Sequence, residues 1–169
     1  MKFTARTWLL ICAAGLVVLT NGAAADSTDS GTDRNSIEGT WLAKVTTPNP
    51  PPGLPPSFLS MATFIGSGEA IEENNTNQIR SVAQGEWVRT GPRQFVRTMT
   101  YFGFAPGRTF VQFTRVTSSI ELADNGATYT ATNAFEIYDT TGVLVATGHN
   151  TAVAKRCGLG DSVPNCIPS

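Results

Sequence analysis

The sequence is poor in the residues on which most hydrolytic and metal sites depend. It has one histidine, His149, and three cysteines, and it lacks the G-x-S-x-G and H-E-x-x-H motifs. A serine or cysteine nucleophile would have only one imidazole to serve as its base, and a metal site would lack ligands. We therefore expect no metal and no cofactor, and we do not expect a hydrolase.

A strong excess of charge of either sign is also missing. The chain has 12 Lys and Arg against 13 Asp and Glu, which gives a formal net charge of -1. The basic residues are scattered and form no run, so the sequence has no electrostatic footprint for nucleic acid. We expect no nucleic-acid partner.

The third absence is helical periodicity. From Ile37 onward, apolar residues do not recur at spacings of three and four, whereas Thr, Val, Phe, Ile and Tyr alternate with other residues. The strands that this alternation predicts are separated by four tight-turn sequences: Thr90-Gly91-Pro92-Arg93, Ala105-Pro106-Gly107, Asp124-Asn125-Gly126 and Asp139-Thr140-Thr141-Gly142.

Turns and alternation together predict about eight strands. They run over residues 39–46, 58–66, 69–73, 78–89, 94–104, 108–123, 127–138 and 143–155. Consecutive strands joined by short turns favour a meander, and closing it removes exposed edges. The predicted fold is all-β, a single up-and-down antiparallel β-barrel. A two-sheet sandwich is the alternative, but no long crossover connection follows residue 78.

The N-terminus has the pattern of a secretory signal peptide over residues 1–25. Lys2 and Arg6 precede an apolar run from Trp8 to Leu19, and small residues end at Ala25. An uncleaved anchor is the alternative, although a spanning helix needs roughly 20 apolar residues. We expect a secreted or periplasmic protein without stable membrane insertion. A disordered leader (26–36), the barrel domain (37–156) and a tail (157–169) would follow the signal; the oligomeric state stays open.

Two cysteines remain outside the signal segment, which contains Cys12. In an exported protein the pair Cys157 and Cys166 is expected to form a disulfide that staples the tail. A proline-rich segment, residues 48–56, lies between the first two predicted strands and cannot join a ladder. It is either a lid over one barrel end or a passive connection.

The first strand contains Gly39-Thr40-Trp41, and a second G-x-W, Gly85-Glu86-Trp87, leads into residues 88–95. This arrangement resembles the lipocalin-like, or calycin, barrels and in particular a group of small exported bacterial members. The resemblance implies an eight-stranded barrel with a lumen, in which the first Trp closes the bottom, and it brings no catalytic residue with it. Allene oxide cyclase and bacterial barrel cyclases are similar in shape only.

Alternation divides each strand into two faces, and composition suggests which of them lines the lumen. The face that mixes large apolar and hydrogen-bonding side chains holds Met99, Tyr101, Phe113, Arg115, Asn133, Phe135, Thr147 and His149. The opposite face is rich in Thr and is expected to be the outer, solvent-exposed one. It includes Gln112, Thr114 and Val116. Arg97 falls on the inner face, so either it pairs with Glu121 or Glu136 or the assignment of this face is wrong. Glu72 and Glu73 are typical of a solvated turn.

These residues support three functional hypotheses. The first is a binding protein that holds a small, largely apolar molecule through Met99, Tyr101, Phe113, Arg115, Asn133, Phe135 and His149, in a lumen of roughly 300 Å³ or more. The second is a cyclase or isomerase that acts by confinement, with Tyr101, Arg115 and His149 as candidate catalytic groups. The third is a non-catalytic surface or structural protein with a filled barrel.

Overall fold

The structure, a computed structural model, describes residues 34–50, 54–76, 78–158 and 160–169. Its strands are β1 (Gly39–Thr46), β2 (Ser57–Phe64), β3 (Glu69–Asn74), β4 (Ala83–Arg89), β5 (Gln94–Ala105), β6 (Thr109–Leu122), β7 (Thr128–Asp139) and β8 (Leu144–Cys157), and the one-turn helix α1 (Val163–Cys166) follows. The signal peptide predicted at residues 1–25 and most of the predicted leader lie outside the described residues.

The strands form one closed sheet. Each pairs antiparallel with the next, and β1 also pairs with β8, so the ladder has no free edge. The predicted all-β, up-and-down barrel is therefore confirmed, and the sandwich alternative is wrong. This order places the β2–β3, β4–β5 and β6–β7 turns at one end, which we call the aromatic end. The other four connections lie at the opposite end, which we call the cavity end.

A cluster of rings fills the aromatic end. Trp41 is fully buried; its indole Nε1 donates to the carbonyl oxygen of Ile37 at 2.7 Å, and its ring centroid lies 4.9 Å from that of Tyr129. Phe64 extends the cluster, with ring centroids 6.3 Å from Tyr129 and 6.2 Å from Trp87. Trp41 thus plugs this end, as expected, and Trp87 packs against the same core.

Arg156, near the end of β8, ties the chain around this plug. Its guanidinium carbon lies 4.2 Å from the ring centroid of Trp41. It donates to the carbonyl oxygens of Gly126 at 3.0 Å and Ser36 at 2.5 Å, and also to that of Glu38. Burial lowers the pKa of Arg156 from its usual value. The side chain thereby joins the segment before β1 to the turn between β6 and β7.

Two predicted elements differ from the structure. β4 begins at Ala83, and not at residue 78. The preceding residues still lie against β5, where the amide of Ser81 donates to the carbonyl of Phe102 at 2.9 Å, but they form no regular ladder. The tail, for which no helix was predicted, forms α1, with a proline in its first turn, a position at which the missing amide hydrogen is not needed.

Two one-residue shifts of register, as β-bulges produce, interrupt the ladder. In β5–β6, Phe104 pairs with Phe110, but Gly103 pairs with Gln112. In β7–β8 the shift falls between Ile137 and Tyr138. Because side chains alternate between the two faces of a strand, each shift exchanges the inner and outer residues of one strand relative to its partner.

The two cysteines of the tail lie at disulfide distance, with their Cα atoms 5.3 Å apart, within the range of native disulfides. Such a bond is consistent with an oxidising compartment. Within the described residues, no helix has the length and hydrophobicity needed to cross a membrane.

The cysteine pair can be tested by replacing both residues, C157S/C166S. We expect the free energy of unfolding to fall by at most about 3 kcal/mol, because the bond closes only a short loop in the unfolded chain. Urea denaturation of the two proteins, with and without dithiothreitol, measures the difference. The reductant should destabilise the wild type and leave the variant unchanged. Two free thiols in wild-type protein purified without reductant would contradict the disulfide.

Candidate functional site

A cavity of about 90 Å³ lies inside the barrel, on the side of the ring cluster that faces the cavity end. Small side chains form part of its wall, and these include Ala43, Ser60, Ala131 and Ala152. Larger apolar side chains continue the wall, among them Val45, Phe58, Val116, Phe135 and Ile137. The cavity exists because small residues occupy the layer next to the ring cluster. It is smaller than the roughly 300 Å³ expected of a drug-sized pocket.

An ion pair is enclosed in the wall of this cavity. Nη2 of Arg97 on β5 lies 3.0 Å from Oε2 of Glu72 on β3, and the side chains are only 7% and 17% exposed. The same nitrogen lies 3.3 Å from the hydroxyl of Ser118. The guanidinium carbon of Arg97 is 5.5 Å from the ring centroid of Phe64. The pair therefore sits between the ring cluster and the cavity.

Arg80, just before β4, supplies a second buried guanidinium. Its side chain is 2% exposed, and Nη2 lies 3.6 Å from Oε1 of Glu72 and 3.5 Å from Oε1 of Glu73. The guanidinium carbon is 4.6 Å from the ring centroid of Tyr101. Glu72 therefore shares its negative charge between two arginines, whereas the carboxylate of Glu73 is half exposed to water.

Several buried polar atoms have no hydrogen-bond partner among the described residues. They are Nε and Nη1 of Arg97, Nε and Nη2 of Arg80, Oδ1 of Asn133 and the hydroxyl of Thr47. Arg97 and Asn133 both line the cavity, and Nδ2 of Asn133 donates to Oδ1 of Asn150 at 2.6 Å. A buried polar group without a partner costs about 1 to 3 kcal/mol. The barrel interior therefore holds donor and acceptor capacity that the fold does not use.

Two tyrosines of the wall remain neutral at neutral pH. Burial raises the pKa of Tyr129 to about 12. Burial also raises the pKa of Tyr101, against the opposing effects of its hydrogen bond with Thr114 and of the charge of Arg80. Neither phenol contributes negative charge, so Glu72 and Arg97 are the only charged side chains in the described wall of the cavity.

Four of the residues predicted to bind a ligand face the interior. Tyr101, Asn133 and Phe135 line the cavity, and Met99 is buried in the core beside it. Their role in binding stays a prediction. Leu54, in the proline-rich segment, also lines the cavity, so this segment reaches the barrel end.

The other three predicted residues, Phe113, Arg115 and His149, do not face the lumen, and neither does Thr147. Phe113 packs outside against Phe110, with ring centroids 4.7 Å apart, and Arg115 and His149 are exposed. The β-bulges are the physical reason. Without them, Tyr101 would pair with Phe113, and Asn133 with His149; with them, the partners are Thr114 and Asn150.

The same register shifts place on the inner face several residues that were expected on the outer face. Gln112, Thr114 and Val116 line the cavity. Glu72, expected in a solvated turn, is the partner of Arg97, so the pairing expected with Glu121 or Glu136 is wrong. Alternation along β3, which buries Ala70 and carries Glu72 and Asn74 on the same face, was the signal in the sequence that could have found it. The candidate catalytic groups Tyr101, Arg115 and His149 are not brought together.

Comparison of the chain with models of known protein families, with curated proteins and with solved structures gives no match.

Glu72→Gln tests whether the ion pair belongs to the interior. The change removes the negative charge and leaves Arg97 as a buried cation, so we expect the free energy of unfolding to fall by about 3 kcal/mol. Glu73→Gln, the adjacent and half-exposed position, is the matched control and should change it by less than about 0.5 kcal/mol. Urea denaturation compares the variants with the wild type. Equal losses for the two variants would contradict the interior role of Glu72.

Tyr129 gives a prediction for high pH. Its folded pKa of about 12 exceeds the value of roughly 10 in an unfolded chain, so the unfolded chain loses this proton first as pH rises. The contribution to stability is complete below pH 10 and is lost by about pH 12; it amounts to roughly 2 to 3 kcal/mol. Urea midpoints measured across this range should fall more steeply for the wild type than for Tyr129→Phe. Equal slopes would refute the assignment.

Proposed function

We propose that the protein binds a small organic molecule in the cavity of its barrel. The observation that carries the proposal is that one cavity inside the barrel is lined both by apolar side chains and by the polar side chains of Arg97 and Asn133. A few convergent polar groups in an otherwise apolar cleft are the usual composition of a small-molecule site. The polar groups would orient the ligand, and the apolar wall would contact the rest of it.

The size of the cavity limits the ligand. Its volume of about 90 Å³ is below the roughly 150 Å³ of an engineered cavity that accepts benzene. It encloses either a very small molecule or one end of a longer one. In the second case, Phe58, Leu54 and Ile137 would contact the remainder towards the cavity end. This supports a ligand that is largely apolar and carries a polar group at its inner end.

Binding is favoured over catalysis because the candidate catalytic groups are separated by the barrel wall. Tyr101 lines the cavity, whereas Arg115 and His149 are exposed on the outside. A closed barrel of eight antiparallel strands is the fold that the calycin resemblance implies, and the proposed lumen is the site that such a barrel offers.

We further propose that the protein acts outside the cytoplasm. The Cys157 and Cys166 pair at disulfide distance supports an oxidising compartment, and the charged, apolar and small-residue regions of residues 1–25 have the order found in export signals.

A probe panel tests binding in the lumen. The chain from residue 26 onward is titrated with benzoate, benzamide, benzyl alcohol, hexanoate, hexanamide and hexanol, with binding followed by ligand-observed NMR and native mass spectrometry. We expect saturable binding of at least one probe. Ala131→Phe, which fills the cavity, should abolish it, whereas Thr132→Phe, the next residue on the outer face, should leave it intact.

Circular dichroism establishes that both variants fold, and Ala152→Val provides a milder filling if Ala131→Phe does not. The proposal fails if no probe binds the wild type, or if the inner and outer substitutions have the same effect on binding.

A further inference from the structure

We infer that the ligand is an elongated molecule, and that the part of it beyond the cavity passes sideways through the barrel wall, into a cleft between β8 and the segment after β1. This inference rests on the proposed lumen binding and specifies the shape of the ligand and the path that it follows. It starts from a place where the wall of the barrel is incomplete.

The cleft exists because β8 is longer than β1. The ladder between these strands ends at the pair Thr46 and Thr151, whereas β8 begins at Leu144 and is paired with β7 from that residue onward. Residues 144–150 therefore have a described strand on one side only. On the other side the chain continues into the proline-rich segment, whose prolines have no amide hydrogen to donate to a ladder.

A space of about 410 Å³ occupies this gap. Pro48 and Asn49 line it from the segment after β1, and residues 146–149 line it from β8. The remaining lining residues, Phe135 and Ile137, belong to β7. Small-molecule pockets usually enclose roughly 300 to 1,000 Å³, a size that the cleft reaches and the cavity alone does not.

Phe135 and Ile137 form the partition between the two spaces, because both of them also line the cavity. The ring of Phe135 lies against Gly148, where a Cβ atom would come 2.2 Å from its Cζ. Only a residue without a side chain permits this contact. Rotation of the ring away from Gly148 joins the cavity to the cleft, and side chains of this kind change between a few discrete rotamers.

The chemistry changes along this path. At its inner end, the cavity is lined by the polar side chains of Arg97 and Asn133. The partition of Phe135 and Ile137 is apolar. The path ends outside the barrel near His149, which is exposed. The ligand class is accordingly a molecule with a polar group at its inner end and a hydrocarbon chain long enough to reach the cleft. A compact ligand would leave the cleft empty.

A series of straight-chain alcohols tests the inference. The purified protein is titrated with butanol, hexanol, octanol and decanol by isothermal titration calorimetry. We expect the affinity to rise at every step up to decanol, by on the order of 10-fold for each two carbons, because burying one methylene group is worth about fourfold. A ligand confined to the cavity would reach its highest affinity at one of the shorter alcohols.

Ala146→Phe should fill the cleft without entering the cavity, because Ala146 lines only the cleft. We expect this variant to bind hexanol like the wild type and to lose the gain for decanol. Val145→Phe is the matched control and should keep the gain, because Val145 is 58% exposed and lines neither space. Circular dichroism establishes that both variants fold, and Ala146→Leu is a milder filling.

Two further measurements follow the path itself. Phe135→Ala should raise the ratio of decanol affinity to hexanol affinity, since no ring has to be displaced. Decanol with a diazirine on its last carbon should label Pro48, Asn49 or residues 146–149 on irradiation, and tandem mass spectrometry identifies the labelled residue.

The outcomes separate this inference from the proposed function. Equal affinity for hexanol and decanol, or no binding of either, would overturn the inference, while binding of benzamide or benzyl alcohol would leave lumen binding in place. A gain that survives Ala146→Phe, an unchanged ratio in Phe135→Ala, or a label on Leu54 or Phe58 would also overturn it, because the chain would then leave by the open end of the barrel. If no probe of either set binds, the proposed function fails and this inference fails with it.

Discussion

Closure of the eight-strand ladder is the constraint on which the other features depend. Once β1 pairs with β8, every strand has one face inside a narrow space and one outside. Side-chain size then decides what this space becomes. Rings such as Trp41, Phe64 and Tyr129 fill the aromatic end, whereas Ala131 and Ala152 leave the next layer open. The ring cluster and the cavity thus follow from the sizes of the side chains that face inward.

The interior charges meet because both lie on the inner face of the sheet. Glu72 and Arg97 are 25 residues apart and lie on strands that are not adjacent, so their side chains meet only across the interior. In this low-dielectric space each charge is costly without the other. The pair connects β3 to β5 through the core, in addition to the backbone ladder that links them through β4.

The sequence was sufficient for the strands, because turn signals and alternation are local. Seven of the eight predicted strands overlap closely with the observed ones; β4 is the exception, since Ser81 lies against β5 by irregular hydrogen bonds. The inner face was predicted correctly for Tyr101 and Asn133 and wrongly for Phe113 and His149. The wrong assignments follow from the β-bulges, which insert one extra residue into each of two ladders. No sequence pattern marks either bulge as clearly as the glycine-containing turns are marked. Composition assigned Phe113 to the wrong face, because Phe113 packs in a ring cluster on the outside of the barrel.

Stability alone does not account for the arginine in the barrel. Replacing a buried ion pair with apolar side chains of similar volume is often neutral or stabilising, and the unpaired Nε and Nη1 of Arg97 add a further cost. The fold already has a plug of aromatic rings at one end, so it does not need a charge to specify its core. Two kinds of side chain reduce the stability of this core: the buried polar ones of Arg97 and Asn133, and the small ones that leave space unfilled. Both kinds line the same cavity. A ligand of the kind proposed would fill this space, which is why the cavity is the candidate functional site.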